Sequence, residues 1–144
     1  MKSSLASSAT TICNILPLVG ADDIQSAYMG IVNTQWLCHQ LAVQSGWWDC
    51  INVNDKNIIG TKLALIHSEV SEALEGVRKD TMDSHLPHRK TEEVELADTI
   101  IRIFDLAGAR KLDVAGALFE KLAYNQSRAD HKRENRAAVG GKKI

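Results

Sequence analysis

Proline and cysteine are scarce in this sequence, and each shortage bears on the fold. Only two prolines, Pro17 and Pro87, occur in 144 residues, so little interrupts a long helix. The three cysteines are odd in number and form no CxxC pair, which argues against a disulfide framework or a zinc ribbon. We therefore expect reduced thiols and a cytoplasmic location.

Net charge and long apolar runs are also nearly absent. The chain has 17 basic and 18 acidic residues and a formal net charge of -1, so it has no general attraction to nucleic acid or to an anionic membrane. The apolar stretch at 12–19 is interrupted by Cys13, Asn14 and Pro17 and is too short to span a bilayer. We expect no nucleic-acid partner and no membrane segment, and we interpret residues 1–20 as a flexible N-terminal arm.

The sequence does contain apolar residues at helical spacing along most of its length. This pattern predicts four helices, at 22–46, 61–79, 91–109 and 113–130. No run of residues alternates as a β-strand would. We therefore predict an all-α domain over residues 21–130, folded as an antiparallel four-helix bundle, followed by a basic C-terminal tail at 131–144.

The third predicted helix has more apolar surface than a small monomer can bury. Its apolar side chains cover about two-thirds of the helix circumference. They are Val94, Leu96, Ala97, Ile100, Ile101, Ile103, Phe104 and Leu106. This excess predicts a homo-oligomer, either a homodimer or a homotetramer.

Two acidic pairs with the same spacing lie on the second and third predicted helices. Glu69 falls beside the apolar stripe of its helix, and Glu72 follows one turn later. Two like charges in that position repel and resist desolvation, which makes sense if a cation bridges them. Glu95 and Asp98 repeat the spacing on the next helix. An antiparallel hairpin can bring the four carboxylates together as the oxygen ligands that magnesium prefers.

Other interpretations of the acids stay open on this evidence. Either pair alone is more often a solvated helix face, and the chain would then be a non-catalytic helical dimerisation module. A di-iron bundle also collects acids within four helices, but its sites use Glu-x-x-His, which is missing from this sequence. His85 and His88 fall in a predicted loop, where we expect surface positions.

The complete acidic pattern resembles the signature of a known enzyme family. Glu69-x-x-Glu72, 22 intervening residues and Glu95-x-x-Asp98 are similar to the motif of the MazG-like all-α NTP pyrophosphatases. The surrounding words IHSEVSEALEG at 66–76, EEVELADTIIRIFDLAG at 92–108 and KLAYNQSR at 121–128 resemble the short phage or mobile-element members. The likeness extends from about residue 46 to the C-terminus, and the tail after 128 departs from the family pattern.

This resemblance implies a magnesium-dependent nucleoside triphosphate pyrophosphohydrolase that acts in nucleotide-pool housekeeping. Mg²⁺, with Mn²⁺ as a substitute, would be held by the four acids, which are then the metal-binding and catalytic residues. The metal would neutralise phosphate charge and activate a water that attacks phosphorus, releasing a nucleoside monophosphate and pyrophosphate. One of the four acids, or Glu75, would orient that water. Hydrolysis of a modified nucleotide is the alternative within the same chemistry.

The resemblance also implies substrate-binding residues on the fourth helix. Lys121 and Asn125 match the family's lysine and asparagine, and Tyr124 lies between them. Lys121, Asn125 and Arg128 share one helical face by their spacing, which suits a phosphate chain. Trp48 is a further candidate because aromatic rings stack on nucleobases, although core packing is the commoner role for such a side chain.

Overall fold

The computed structural model describes residues 2–15 and 19–140. All the secondary-structure elements in these ranges are helices. In chain order the helices are α1 (Lys2–Ile15), α2 (Ala21–Gln44), α3 (Lys56–Lys79), α4 (Thr91–Ala109), α5 (Val114–Ser127), a 3-10 helix (Ala129–His131) and α6 (Arg133–Ala137). Within the described ranges there is no strand, only an isolated antiparallel bridge between Met82 and Lys90. The all-α prediction is confirmed.

The four predicted helices correspond to α2, α3, α4 and α5, and the bounds of α4 agree with the prediction. The largest difference is at α3, which begins at Lys56 rather than at residue 61. It begins earlier because the Asp55 carboxylate accepts a hydrogen bond from the Asn57 backbone N–H at 2.8 Å and caps the helix. The arrangement of these four helices as one antiparallel bundle remains a prediction.

The chain divides into two compact units. The first comprises Met1–Val32 and Asp113–Ile144, and within it α1 packs against α5. Its core consists of Ala9, Ile24 and Phe119, with the rings of Tyr28 and Phe119 6.1 Å apart. Residues 2–15, which belong to the arm predicted at 1–20, form a helix, and Ala9 packs in this core with its apolar neighbours. Residues 16–18 lie outside the described part of the chain.

The second unit comprises Asn33–Leu112 and is dominated by the hairpin of α3 and α4. Helix α3 is capped at its C-terminus by Asp80, which adopts a left-handed backbone with φ 49°. The Thr81 N–H donates to the Gly76 carbonyl at 3.3 Å. Gly76 is buried where the two helices meet, and a Cβ placed there would lie 2.8 Å from the Cβ of Thr91. This close approach fixes the end of α3 against the start of α4.

The loop between these two helices is closed by its own hydrogen bonds. The Thr91 N–H donates to the Thr81 carbonyl at 3.0 Å, and the Asp83 N–H donates to the Arg89 carbonyl at 3.0 Å. The Lys90 ammonium pairs with Asp80 at 2.6 Å. The loop therefore holds a defined shape at the end of the hairpin.

Much of the apolar surface of the hairpin faces solvent in the single chain. Seven of its large aliphatic side chains are between 46% and 61% exposed: Leu63, Val70, Leu74, Val77, Leu96, Ile100 and Ile101. Four of them, Leu63, Val70, Leu74 and Val77, share one face of α3 by their spacing. These residues are where an oligomer contact is expected, and the oligomer itself remains a prediction.

In the described ranges, none of the helices combines the length and the apolar character needed to cross a lipid bilayer. The basic tail is described as far as residue 140. It begins with the 3-10 helix and α6, both of which have no buried residue, and residues 141–144 lie outside the described part.

Candidate metal centre

The register of the α3–α4 hairpin brings the two acidic pairs to matching heights. Glu69 precedes Gly76 by seven residues, and Asp98 follows Thr91 by seven. Because Gly76 and Thr91 are in contact and the helices run in opposite directions, equal separations along each helix lead to the same level of the hairpin. Glu72 and Glu95 each lie four residues from the same contact. The sequence spacing and the hairpin geometry are therefore consistent.

Three of the four predicted ligands form a tight cluster. One carboxylate oxygen from each of Glu69, Glu95 and Asp98 lies within 4.8 Å of the others. Glu69 is buried, whereas Glu95 and Asp98 are half-buried. Glu72 is exposed and lies outside this cluster, although it lines the same cavity. The structure thus brings three acids to one point and places the fourth at the cavity wall.

The pKa values of two of these acids, Glu95 and Asp98, are raised. Burial raises the pKa of Glu95 to about 7, and a hydrogen bond with Glu69 and the charges of Glu72, Glu69 and Asp98 add to the rise. Burial and the charge of Glu69 also raise the pKa of Asp98. Such shifts are typical of carboxylates that face one another without enough positive charge nearby. A divalent cation would remove this repulsion.

One cation of the protein already contacts the cluster. The Arg102 Nε lies 2.6 Å from the Glu69 Oε1, with the Glu69 side chain 8% exposed and the Arg102 side chain 42% exposed. The charge of Arg102 also opposes the rise in the pKa of Asp98. Arg102 therefore compensates part of the negative charge while its side chain reaches solvent.

The acids line an open cavity of about 480 Å³. Its wall is completed by the α3–α4 loop, which contributes Asp83, His85 and Leu86. Asp83 is buried and accepts hydrogen bonds from the backbone N–H groups of His85 at 2.9 Å and Leu86 at 2.6 Å. These bonds lower the pKa of Asp83, with the bond from Leu86 as the largest cause. Asp83 thus stays ionised and fixes the loop, in contrast to the raised pKa values of Glu95 and Asp98.

Glu75, the alternative water-orienting acid, is occupied elsewhere. Its carboxylate pairs with Arg78 at 2.8 Å and with Lys79 at 2.9 Å on the same helix. It does not line the acid cavity. The cavity therefore offers no support for a role of Glu75 in orienting a water.

The predicted phosphate-binding residues lie on or directly after α5, in the other unit of the chain. The Lys121 Nζ lies 4.8 Å from the centre of the Tyr124 ring. The Asn125 Oδ1 is buried and lacks a hydrogen-bond partner in the described structure. Arg128 forms a two-pronged contact with Asp130, with its Nε and Nη2 at 2.9 and 2.6 Å from the two carboxylate oxygens. Its guanidinium is thus already paired with a carboxylate.

Trp48 belongs to a polar network around a buried carboxylate. Its Nε1 donates to the Asp105 Oδ1 at 2.6 Å, and the His39 Nδ1 lies 3.0 Å from the same oxygen. The Lys62 Nζ lies 3.6 Å from the Asp105 Oδ2 and 4.3 Å from the centre of the Trp48 ring. The indole is therefore held by packing and hydrogen bonding within the second unit, and its stacking on a base remains a prediction.

Arg102, Asp83 and Asp105 are parts of this unit that sequence reasoning did not assign to a function. Arg102 had a usable signal, because it follows Asp98 by four residues and Glu95 by seven and so shares their helical face. Asp83 and Asp105 had none, since a loop acid and an acid on a polar arc are common surface features. Their burial depends on contacts that only the folded chain reveals.

The chain matches no protein-family model, no curated protein and no solved structure.

Proposed function

We propose that this chain is a nucleoside triphosphate pyrophosphohydrolase that cleaves its substrate to a nucleoside monophosphate and pyrophosphate with the help of a divalent cation. The observation that carries the proposal is the cluster of Glu69, Glu95 and Asp98 within 4.8 Å. It lies in a cavity that Glu72 also lines, so all four acids of the sequence motif border one space. The resemblance of that motif to the MazG-like family supplies the reaction class.

The donor set fits a hard cation. Carboxylate oxygens are the ligands that Mg²⁺ and Mn²⁺ take in proteins, and Mg²⁺ usually keeps several of its waters beside them. When bound, Mg²⁺ would neutralise phosphate charge and make a bound water more acidic. Glu69, Glu95 and Asp98 would hold the ion, and Glu72, which lines the same cavity, would accept a proton from a water there.

The proposed enzyme would also have nucleotide-binding residues outside the acid cavity and would act as an oligomer. Lys121, Tyr124 and Asn125 would contact the nucleotide, and the buried Asn125 Oδ1 without a partner supports a ligand at that position. The protein would act as a homodimer or homotetramer in the cytoplasm, without nucleic acid, in nucleotide-pool housekeeping. The exposed aliphatic residues of α3 and α4 support the oligomer.

A helical dimerisation module without activity is the second candidate, and the same exposed aliphatic surface favours it. In that case the acids would have no metal to bind. The burial and mutual repulsion that raise the pKa of Glu95 would then lower stability with no function to offset them. This argument favours the enzyme.

The deciding experiment measures release of pyrophosphate and monophosphate from each common ribonucleoside and deoxyribonucleoside triphosphate, with and without Mg²⁺. Glu95→Gln keeps the size of the side chain and removes a ligand charge, so it should lower turnover by at least about a hundredfold. Glu92→Gln is the matched control, because Glu92 is an exposed acid in the first turn of the same helix.

Each alternative predicts a different result. Magnesium-dependent release that is lost only in Glu95→Gln supports the proposed enzyme. Stabilisation by Mg²⁺ without release from any of these nucleotides points to a modified nucleotide as substrate. Neither stabilisation nor release would contradict the proposal and leave the dimerisation module.

A further inference from the structure

We infer that Arg102 serves the acid cavity in two ways: one edge of its guanidinium orients Glu69, and the rest of the group binds an oxygen of a polyphosphate ligand. This inference rests on the proposed function and deepens it, because it assigns the polyphosphate contact of that site. It names a binding residue that the family-like motif does not include.

The position of the guanidinium supports both contacts. Its Nε approaches the Glu69 Oε1 at 2.6 Å, and Glu69 is the most buried acid of the cluster. A guanidinium has five N–H donors in a planar fork, so this contact through Nε leaves most of its donors for other partners. The Arg102 side chain is 42% exposed and forms part of the cavity wall. Arg102 therefore connects a buried acid with the open side of the cavity.

The charge balance of the cavity calls for such a cation. Four acids of the motif border the cavity, and a polyphosphate brings further negative charge to it. Arg102 is the only lysine or arginine among the described residues of the cavity wall. A bound divalent ion would offset part of the negative charge, and an arginine beside it supplies the directional donors that phosphate oxygens accept.

The other candidate arginine is less suited to this task. Arg128 already contacts both oxygens of Asp130 at 2.9 and 2.6 Å, whereas Arg102 is joined to Glu69 through Nε. Arg102 also shares its helical face with Glu95 and Asp98, which precede it by seven and four residues. Its position relative to the cluster is therefore set by α4 itself.

The test separates metal binding from anion binding. Affinity for Mn²⁺ alone is measured by electron paramagnetic resonance, and affinity for inorganic tripolyphosphate is measured by calorimetry at saturating Mg²⁺. The variants are Arg102→Gln and Arg102→Lys. Arg89→Gln is the matched control, because Arg89 is an exposed arginine of the same unit that pairs loosely with a glutamate, Glu93, at 3.9 Å and does not line the cavity.

We expect Arg102→Gln to bind tripolyphosphate about tenfold to a hundredfold more weakly than the wild type, as for loss of a hydrogen bond to a charged group. Arg102→Lys should recover part of the loss, since it restores the charge but not the planar fork. Arg89→Gln should bind as the wild type does. If Arg102→Gln does not fold, the weaker binding of Arg102→Lys relative to Arg89→Gln still tests the inference.

Three results would overturn the inference. Weaker Mn²⁺ binding with unchanged tripolyphosphate binding would leave Arg102 as a support for Glu69 only. An equal loss in Arg89→Gln would show a general effect of charge. No binding of tripolyphosphate to the wild type would remove the ligand itself. By contrast, tripolyphosphate binding that depends on Arg102, without cleavage of any common or modified nucleotide, would contradict the proposed function and support the inference.

Discussion

One carboxylate oxygen of Glu69 and one of Glu95 lie within 4.8 Å of each other across the α3–α4 hairpin. Glu95 is also half-buried, and both its burial and the charge of Glu69 disfavour its ionised form. The pKa of Glu95, raised to about 7 mainly by burial, means that Glu95 holds a proton in part of the molecules near neutral pH. A proton and a divalent cation therefore compete for the same oxygens.

The stability of the metal-free protein should fall as pH rises. The folded-state pKa of Glu95, about 7, lies above its ordinary value of 4.5, so the folded state binds the proton more tightly than the unfolded state does. This contribution is complete below the ordinary pKa and is lost as pH rises through the folded-state value. Thermal unfolding in the presence of a chelator should show a Tm several degrees lower at about pH 8 than at about pH 5.

Two comparisons test the cause of this pH dependence. Glu95→Gln cannot ionise, so its Tm should change less with pH than that of the wild type. Mg²⁺ should raise the wild-type Tm most at high pH, where Glu95 and Asp98, whose pKa values are raised, have lost their protons. A wild-type Tm that is flat or rises over this range in the chelator would contradict the prediction.

Gly76 should tolerate no larger side chain. A Cβ at this position would lie 2.8 Å from the Thr91 Cβ and 3.1 Å from the Glu92 backbone nitrogen. We expect Gly76→Ala to lower the free energy of unfolding by about 1 to 3 kcal/mol, and to weaken metal binding because this contact sets the register of the hairpin. Urea unfolding and Mn²⁺ titration would measure the two effects.

The matched control for Gly76 is Gly60 on the same helix. A Cβ on Gly60 meets nothing within 4 Å, so Gly60→Ala should raise the free energy of unfolding by about 0.5 to 1 kcal/mol through helix propensity. Equal effects of the two substitutions would contradict the close approach at Gly76.

Helical periodicity was enough to locate the elements that carry the acids. The bounds of α4 are those that the pattern predicts. Its apolar residues recur at helical spacing from Thr91 onward, and no proline interrupts them. Helix α1 was missed because its sequence is rich in serine and threonine, which favour helices weakly, and because its burial depends on Phe119, which lies more than a hundred residues away in the sequence. Such long-range contacts leave no local signal.

The acidic cluster was predictable in kind but not in detail. The spacing of two pairs on adjacent helices predicts convergence, and Glu69, Glu95 and Asp98 do converge. The separation of Glu72 from this cluster depends on side-chain directions that a sequence does not contain. The burial of Asp105 was unpredictable for another reason, since its partners come from α2, from α3 and from the intervening loop.

Asp105 should be a major contributor to stability. It is buried and receives a hydrogen bond from Trp48 at 2.6 Å, while Lys62 lies 3.6 Å away. Asp105→Ala would leave these donors without their acceptor, and we expect a loss of about 3 kcal/mol in the free energy of unfolding. A double-mutant cycle of Asp105→Asn with Lys62→Gln should show a coupling energy above about 0.5 kcal/mol. Additive effects of the two substitutions would mean that Lys62 and Asp105 do not stabilise each other.

The exposed aliphatic surface of α3 predicts how the chain assembles. Leu74 is 61% exposed in the single chain, and leucines of this exposure beside Val70 and Val77 are typical of a contact between subunits. Light scattering coupled to size exclusion should give a wild-type mass that corresponds to a dimer or a tetramer of the 15.8 kDa chain. Leu74→Glu should shift it toward the monomer, because an unpaired charge buried in an interface costs several kcal/mol. Ser71→Glu, at an exposed polar position on the same helix, should leave the mass unchanged, and a monomeric wild type would contradict the oligomer.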